Sequence, residues 1–301
     1  MRIDPLPAPL VIVNPASRGG LGASDWPAAA CALRSHFGPF ECRFTAGPGD
    51  AAQIAREEAD RGRDLLVTFG GDGTISESVR GILESGKPVA LGILPHGTGG
   101  DLVRSLPLPT RLADAARALR RGRTVTIDVG RVVFESGREK SFVNSASFGL
   151  SAEVARRVSR RDWGGYIGET LKAASEYGFP EVELRVDSGP RRRLRITTVS
   201  LHNGRFFGGG MKMAPEATLT DGVLDLVVVK KLSLAKLVRE SPLLYLGAHL
   251  GLPEVEHGRV SLVEARSVDP AAEVLVEIDG EVEHRLPARF EVRRRALRIR
   301  I

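Results

Sequence analysis

Leu65-Leu66-Val67-Thr68-Phe69-Gly70-Gly71-Asp72-Gly73-Thr74-Ile75-Ser76-Glu77-Ser78-Val79 sets the architecture of this 301-residue chain. Its apolar, β-branched opening, bounded by glycine, predicts a buried strand. Three glycines and an aspartate then predict a turn that a ligand can approach closely, since no Cβ stands in the way. Thr74 followed three residues on by Glu77 has capping-box spacing and predicts a helix start. A strand, a glycine turn and a helix N-terminus together suit a phosphate, because unsatisfied N–H groups and the helix dipole both favour anions. Asp72 does not belong in a plain anion cradle. A carboxylate beside phosphates points to a divalent cation. The plain alternative is a strand-to-helix turn with Asp72 solvated, since short glycine motifs recur by chance.

The flanking sequence repeats this arrangement. Pro9–Val13 predicts a strand running into Asn14-Pro15-Ala16-Ser17-Arg18-Gly19-Gly20, where Asn14, Ser17 and Arg18 suit phosphate contacts. A helix over Ala28–Phe37 and a strand over Glu41–Thr45 follow. Asp50 is the predicted N-cap of a helix reaching Arg61. Pro88–Leu94 predicts another strand, leading into Pro95-His96-Gly97-Thr98-Gly99-Gly100-Asp101 and a short helix from Asp101 to Leu106. Arg111–Arg121 predicts a helix stopped by Gly122. Strands alternating with helices predict a three-layer parallel α/β domain with its ligand loops at the carboxyl ends of the strands. Asn14, Asp72 and Thr98 all fall at such ends.

From Thr124 the period changes to short strands, expected over Thr124–Val133, Phe142–Phe148, Glu181–Val186, Leu194–His202, Val223–Val229 and Glu273–Ile278. Helices are expected over Ala152–Arg160, Ile167–Glu176 and Leu234–Leu250. The reading is therefore two domains, 1–128 and 129–301, the second mainly antiparallel β. Leu243-Leu244-Tyr245-Leu246 is apolar enough to touch a lipid, but a core helix is expected there. Two acidic turns stand out, Thr220-Asp221-Gly222-Val223-Leu224-Asp225 and Glu277-Ile278-Asp279-Gly280-Glu281. As hairpin turns they are ordinary. Phosphoryl transfer to an alcohol, however, needs a carboxylate near the acceptor hydroxyl.

Composition narrows the partners. Hydrophobic residues make up 42% and charged residues 27%, with a net charge of +6. No apolar run nears the roughly 20 residues that span a bilayer, and Met1-Arg2-Ile3-Asp4-Pro5 lacks the core of a secretion signal. Two cysteines, Cys31 and Cys42, give no disulfide framework, so a reduced, cytoplasmic protein is expected. The excess charge is +1 over residues 1–128 and +5 beyond, in Arg156-Arg157, Arg160-Arg161, Arg191-Arg192-Arg193 and Arg293-Arg294-Arg295. Solvated faces would account for such clusters; otherwise they favour an anionic partner. With 5% aromatic residues and none interleaved with the arginines, nucleic acid is not expected and peripheral association with an anionic membrane surface is.

Taken in order, Asn14-Pro15 with Ser17, Gly70 to Glu77, Leu94-Pro95 with Gly97-Thr98-Gly99 and Asp101, Asn203-Gly204, Asp221-Gly222 with Leu224-Asp225, and Asp279-Gly280-Glu281 resemble the diacylglycerol kinase catalytic-domain family, in its bacterial lipid kinase branch. The resemblance implies ATP-dependent, Mg²⁺-assisted phosphorylation of a lipid hydroxyl, with diacylglycerol the default acceptor and the active site in a cleft between the two domains. It implies ATP contacts from Asn14, Ser17, Gly70, Gly71, Gly73, Thr74, Glu77, Gly97 and Thr98. Asp72, Asp101 and Glu281 would belong to the Mg²⁺ network, and Asp279 would be the general base. Asp221 would hold a structural Mg²⁺ with the carbonyls of Thr218 and Val223. A homodimer is compatible with it. The chain departs from the family at Gly100 and Ser76, where asparagine is usual, which bears on donor or acceptor preference. A ceramide or sphingoid-base kinase, an NAD-kinase-like soluble kinase and a catalytically silent nucleotide-gated membrane-binding module are the other readings.

Overall fold

The computed structural model describes residues 8–157 and 172–301. The chain divides into a first compact unit that runs to Ile127 and also takes in Arg295–Ile301, and a second over Asp128–Arg294. The ends of the helices expected over Ala152–Arg160 and Ile167–Glu176 lie partly outside the described residues, as do Arg160 and Arg161.

In the first unit, β1 (Leu10–Val13), α1 (Ser17–Phe37), β2 (Glu41–Phe44), α2 (Asp50–Asp60), β3 (Leu65–Gly70), α3 (Asp72–Ser85), β4 (Ala90–Pro95), α4 (Asp101–Ser105) and α5 (Leu112–Arg121) alternate as expected. The strands lie in the order β2-β1-β3-β4, all parallel. Every residue of β1 and β3 is buried, as a parallel sheet covered on both faces requires. Residues 298–300 add one more parallel strand beside β4. Arg300 is buried there and donates to the carbonyls of Leu119 (2.9 Å) and Arg120 (3.2 Å) at the end of α5.

Three local expectations are corrected. The helix α3 starts at Asp72 with Gly71 as its cap, so Thr74 and Glu77 form no capping box. Glu77 instead accepts from the N–H groups of Gly49 (2.9 Å) and Ala51 (3.2 Å), capping the neighbouring α2. Gly49, at φ 90°, is the N-cap of α2. Asp50 turns outward to accept from Ala46 and Gly47. The two helices can lie this close because Gly81 has no side chain: a Cβ there would sit 2.1 Å from the carbonyl oxygen of Ala52. Finally, α1 begins at Ser17 rather than Ala28, with Arg18, Gly19 and Gly20 in a left-handed turn inside it.

The second unit is antiparallel. Here β5 (Thr124–Phe134) and β6 (Glu139–Phe142) form a hairpin. The main path runs β14 (Glu281–Arg285), β13 (Leu275–Ile278), β7 (Ser145–Gly149), β9 (Arg192–His202), β8 (Glu181–Val186), β12 (Leu262–Ser267) and β15 (Ala288–Arg300). The long β9 also pairs with β10 (Leu224–Lys230), which carries β11 (Val255–Val260). Phe148 and Phe290 stack in its core, with ring centroids 5.6 Å apart. The strand expected over Phe142–Phe148 is two strands, broken at Val143-Asn144. Short helix α6 (Leu150–Arg157) follows β7. The helix expected over Leu234–Leu250 stops at Leu246, where Gly247 at φ 74° closes it. That helix, α7 (Leu234–Leu246), has no buried residue, so the expected core helix is a surface helix.

Arg300 gives the fold a test. Burial holds its guanidinium below the usual arginine range, and its removal would leave the carbonyls of Leu119 and Arg120 without this donor. Arg300→Met should cost about 2 kcal/mol, the typical worth of charge-assisted hydrogen bonds, read as a lower denaturant midpoint. An unchanged midpoint would show that the returning strand carries no share of the first unit's stability.

Candidate active site

Parallel strands β1, β3 and β4 end together, so the three loops that follow them meet in the first unit. Asn14 Nδ2 donates to Thr74 Oγ1 at 2.8 Å, while its Oδ1 accepts from Ala16 N–H at 2.9 Å. The third loop joins through His96 N–H to Gly70 O (2.9 Å) and Gly100 N–H to Asp72 Oδ2 (2.7 Å). Glycine is required by these contacts themselves. A Cβ on Gly97 would lie 2.6 Å from Gly71 Cα, and one on Gly99 would lie 2.7 Å from Asp72 Oδ2. Gly70 likewise makes way for Thr74 Oγ1, 2.5 Å from where its Cβ would stand. Gly97 and Thr98 are left exposed at the rim.

Asp72 is the outlier in this cluster. It is the first residue of α3, where the helix dipole favours a negative charge. Its Oδ2 is bonded, but Oδ1 is buried with no hydrogen-bond partner. Leaving such an acceptor bare costs about 1–3 kcal/mol, so the site suits a donor or a cation. Asp101, buried at the start of α4, accepts from Arg104 at 3.3 Å.

The sequence did not reveal a third set of partners. Ser17 Oγ lies 2.7 Å from His96 Nδ1, and His96 Nε2 lies 2.9 Å from Asp25 Oδ2. His96 is buried and stacks on Phe69 with centroids 4.5 Å apart. Asp25 can only accept, so Nε2 carries a proton and the ring is fixed in place. It thereby clamps the first phosphate-type loop to the third. A lone histidine inside a glycine loop was the only sequence signal for it, and nothing marked Asp25.

In the second unit the quoted motifs are wired together. Asp279, at φ 47°, accepts from the N–H groups of Val143 (2.9 Å), Asn144 (3.0 Å) and Ser145 (3.0 Å). Asn203 supports that segment: its amide donates to the carbonyls of Val143 (2.8 Å) and Asp128 (2.9 Å). Asp128, fully buried, accepts from Gly222 N–H at 2.7 Å. The Asp-Gly, Asn-Gly and Asp-Gly-Glu motifs thus share one network through Asp128, a lone carboxylate in an apolar run. Glu277 accepts from Ser147 and from Gly280 N–H (2.7 Å), and Glu281 opens β14. Asp221 is exposed and accepts from Val223 N–H at 3.3 Å, with Thr218 exposed on the same turn. Burial pushes neighbouring Asp225 up to about 6, opposed by Arg259 and reinforced by the charges of Asp221 and Glu216. Among the described residues no group of three or more His, Cys, Asp or Glu side chains is arranged to hold a metal.

The carboxylate of Glu77 is committed to α2, which separates it from the rest of the expected nucleotide set. Glu77→Gln should lower the denaturant midpoint by the equivalent of about 1 kcal/mol, as for a lost helix cap, and leave nucleotide affinity within about twofold. A large loss of nucleotide affinity at unchanged stability would return Glu77 to the binding site.

Comparison with known proteins agrees with this geometry. Residues 8–132 match the family model described as the diacylglycerol kinase catalytic domain. Residues 144–301 match the YegS C-terminal NAD kinase beta sandwich-like domain. The chain is 30% identical over 295 residues to a protein of Mycobacterium tuberculosis named diacylglycerol kinase, covering 96% of this chain and 93% of that one. It is 30% identical over 249 residues to a Bacillus subtilis protein of the same name, covering 80% and 79%. A crystal structure of a diacylglycerol kinase from Bacillus anthracis shares the fold, with a TM-score of 0.75 at 21% identity over 99% of this chain and 98% of that one. With both halves matched in order and relatives aligned over most of their length, the chain belongs to the diacylglycerol kinase catalytic-domain family, among the bacterial lipid kinases.

Proposed function

We propose that this lipid kinase transfers the γ-phosphoryl group of ATP to the hydroxyl of diacylglycerol at an anionic membrane surface, with Mg²⁺ as cofactor. The observation that carries the reading is the buried, unpartnered Oδ1 of Asp72 inside three glycine-packed loops at the ends of parallel strands. A bare carboxylate oxygen of this kind suits a hard, oxygen-seeking cation. Asp72 would hold Mg²⁺, with Asp101 and Glu281 contributing to its surroundings and Asp221 holding a second ion with the carbonyls of Thr218 and Val223. When bound, Mg²⁺ supplies neutralisation of charge on the phosphates.

The chain's own residues do the rest. The N-terminus of α3 and the backbone of Gly71 and Gly73 offer N–H groups and a dipole to phosphate oxygens. Asn14 and Thr74, bonded to each other, fix the first and second loops for ATP, and Gly97 and Thr98 complete the rim. Asp279 takes the proton of the acceptor hydroxyl as its oxygen bonds to phosphorus. The bond from phosphorus to the bridging oxygen breaks, and ADP leaves. Three N–H donors orient that carboxylate, which suits a base that must hold one direction. The family names of the relatives support diacylglycerol over ceramide or a sphingoid base. Among the described residues no helix is long and apolar enough to cross a membrane, so the lipid would be met from the surface.

Incubation with labelled ATP and mixed lipid micelles, followed by lipid mass spectrometry, should give phosphatidic acid. Labelled NADP or a phosphorylated sphingoid base instead would replace the acceptor. Asp72→Asn should depress turnover by roughly three orders of magnitude, because electrostatic stabilisation dominates phosphoryl transfer. Near-parental turnover in a folded variant would refute its role.

Asp279→Asn separates chemistry from binding. It should lower turnover by about a hundred- to ten-thousand-fold with ATP affinity unchanged. The amide also turns a donor toward one of three N–H groups, so its melting temperature is read alongside. Collapse of ATP binding at a parental melting temperature would place Asp279 in the nucleotide site.

A further inference from the structure

The expected membrane contact was the arginine clusters, and two of these, Arg156-Arg157 and Arg191-Arg192-Arg193, are engaged by carboxylates of the protein itself. Arg156 pairs with Glu153 at 2.7 Å, and Arg157 pairs with Glu153 (2.6 Å) and Glu176 (2.8 Å). Arg191 and Arg193 pair with Glu183, and Arg192 with Glu256. The surface that stands out instead is α7.

A helix turns about 100° per residue, so residues four and eleven apart share a face. Leu234, Val238 and Tyr245 lie within one such stripe, with Pro242 and Leu246 along its edge. Their exposures are 38% for Leu234, 48% for Val238, 51% for Tyr245 and 71% for Leu246. The opposite face, with Leu237 and Leu244, packs on a core that includes Val227, Val229 and Leu232. The outward face is thus largely apolar as well, broken by Ser241 and Arg239, where an ordinary surface helix would be polar. Arg239 is the only charged residue on it and pairs with Glu240 at 2.7 Å. Basic residues mark both ends. Exposed Lys231 stands two residues before the N-cap Ser233, over the ring of Phe179. Exposed Lys212 meets its last turn, where Lys212 N–H donates to Leu244 O at 2.8 Å. Among the described residues neither lysine has a carboxylate partner.

We infer that α7 is the membrane-docking element, lying in the interface of an anionic bilayer with Leu234, Val238, Tyr245 and Leu246 inserted and Lys212 and Lys231 on the headgroups. The partner follows from the lipid-kinase reading; the surface does not. An apolar face with lysines at its rim complements a bilayer whose interior is apolar and whose surface is negative. A second copy of the chain fits less well. A 13-residue helix presents a footprint of about 20 by 10 Å, or about 200 Å², against roughly 800 Å² per partner in a stable dimer.

The test uses the full chain with phosphatidylcholine vesicles, with and without phosphatidylglycerol. Val238→Ser/Tyr245→Ser/Leu246→Ser should weaken vesicle cosedimentation at least about tenfold, since inserted apolar area drives interfacial binding. The single Leu246→Ser, at the most exposed position, guards against a folding defect and should weaken it in the same direction. Lys212→Gln/Lys231→Gln should flatten the dependence on phosphatidylglycerol and on salt. Phosphorylation of vesicle lipid should fall with binding, while turnover of a dispersed short-chain diacylglycerol holds. Vesicle binding unaffected by the triple variant would overturn the inference. So would a concentration-dependent dimer, seen by sedimentation without vesicles, that the triple variant abolishes while vesicle binding persists. Vesicle binding that depends on α7 in a chain that phosphorylates no lipid would leave the docking surface standing and remove the acceptor reading alone.

Discussion

The first unit depends on one backbone contact. Because β3 and β4 are adjacent and parallel, the loops leaving them must pass each other, and they do so where Gly97 meets Gly71. A Cβ on Gly97 would stand 2.6 Å from Gly71 Cα, closer than atoms pack. Any side chain would push one loop away, and with it the bond from Gly100 N–H to Asp72. The glycines that look like an open path for a ligand are first a packing requirement. The same closeness holds Asp72 against Gly100 N–H while its other carboxylate oxygen stays buried and unpartnered.

Side-chain clamps then fix what the backbone contact brings together. Asn14 reaches Thr74, and His96 reaches Ser17 and Asp25. Each joins residues 60 or more positions apart in sequence. The second unit uses the same device: Asn203 and Asp128 bind segments that carry separate motifs. Neither residue needs to touch a ligand to matter, because together they tie the Val143-Asn144 segment that holds Asp279 to the turn at Gly222.

This explains what could be read from the sequence. The glycine loops and their place after strands were legible, since turn chemistry and strand periodicity are local. The order of motifs was legible for the same reason. Pairings between distant residues were not. Glu77 has the spacing of a local cap, yet spends its carboxylate on Gly49 and Ala51, and no spacing rule sees across that interval. Strands β11 and β14 escaped because they alternate poorly: Val255 and Val260 are buried but the residues between are polar and mostly exposed. The C-terminal strand was invisible because Arg293-Arg294-Arg295 reads as a charged tail, while Leu297 and Ile299 are buried. Helix α7 misled in the other direction. Leucine at helical spacing predicts burial, yet only Leu237 and Leu244 pack inward while Leu234 and Leu246 are exposed.

Two carboxylates, Asp279 and Asp72, receive opposite treatment from the fold. Asp279 is given three backbone N–H donors, so its charge is supported by the protein and its direction is set before any ligand arrives. Asp72 is given one, and its second oxygen is buried without a donor. A fold optimised only for stability would supply a donor there or let the oxygen reach water, since the omission costs about 1–3 kcal/mol. The helix dipole at the start of α3 offsets part of that cost but forms no bond to Oδ1. The deficit is the kind that a bound cation relieves, and it would bias the cluster toward the loaded state. A carboxylate held by three donors is fixed in direction; one left wanting is suited to a cation. That contrast, rather than motif position, is what supports giving the two aspartates different proposed roles.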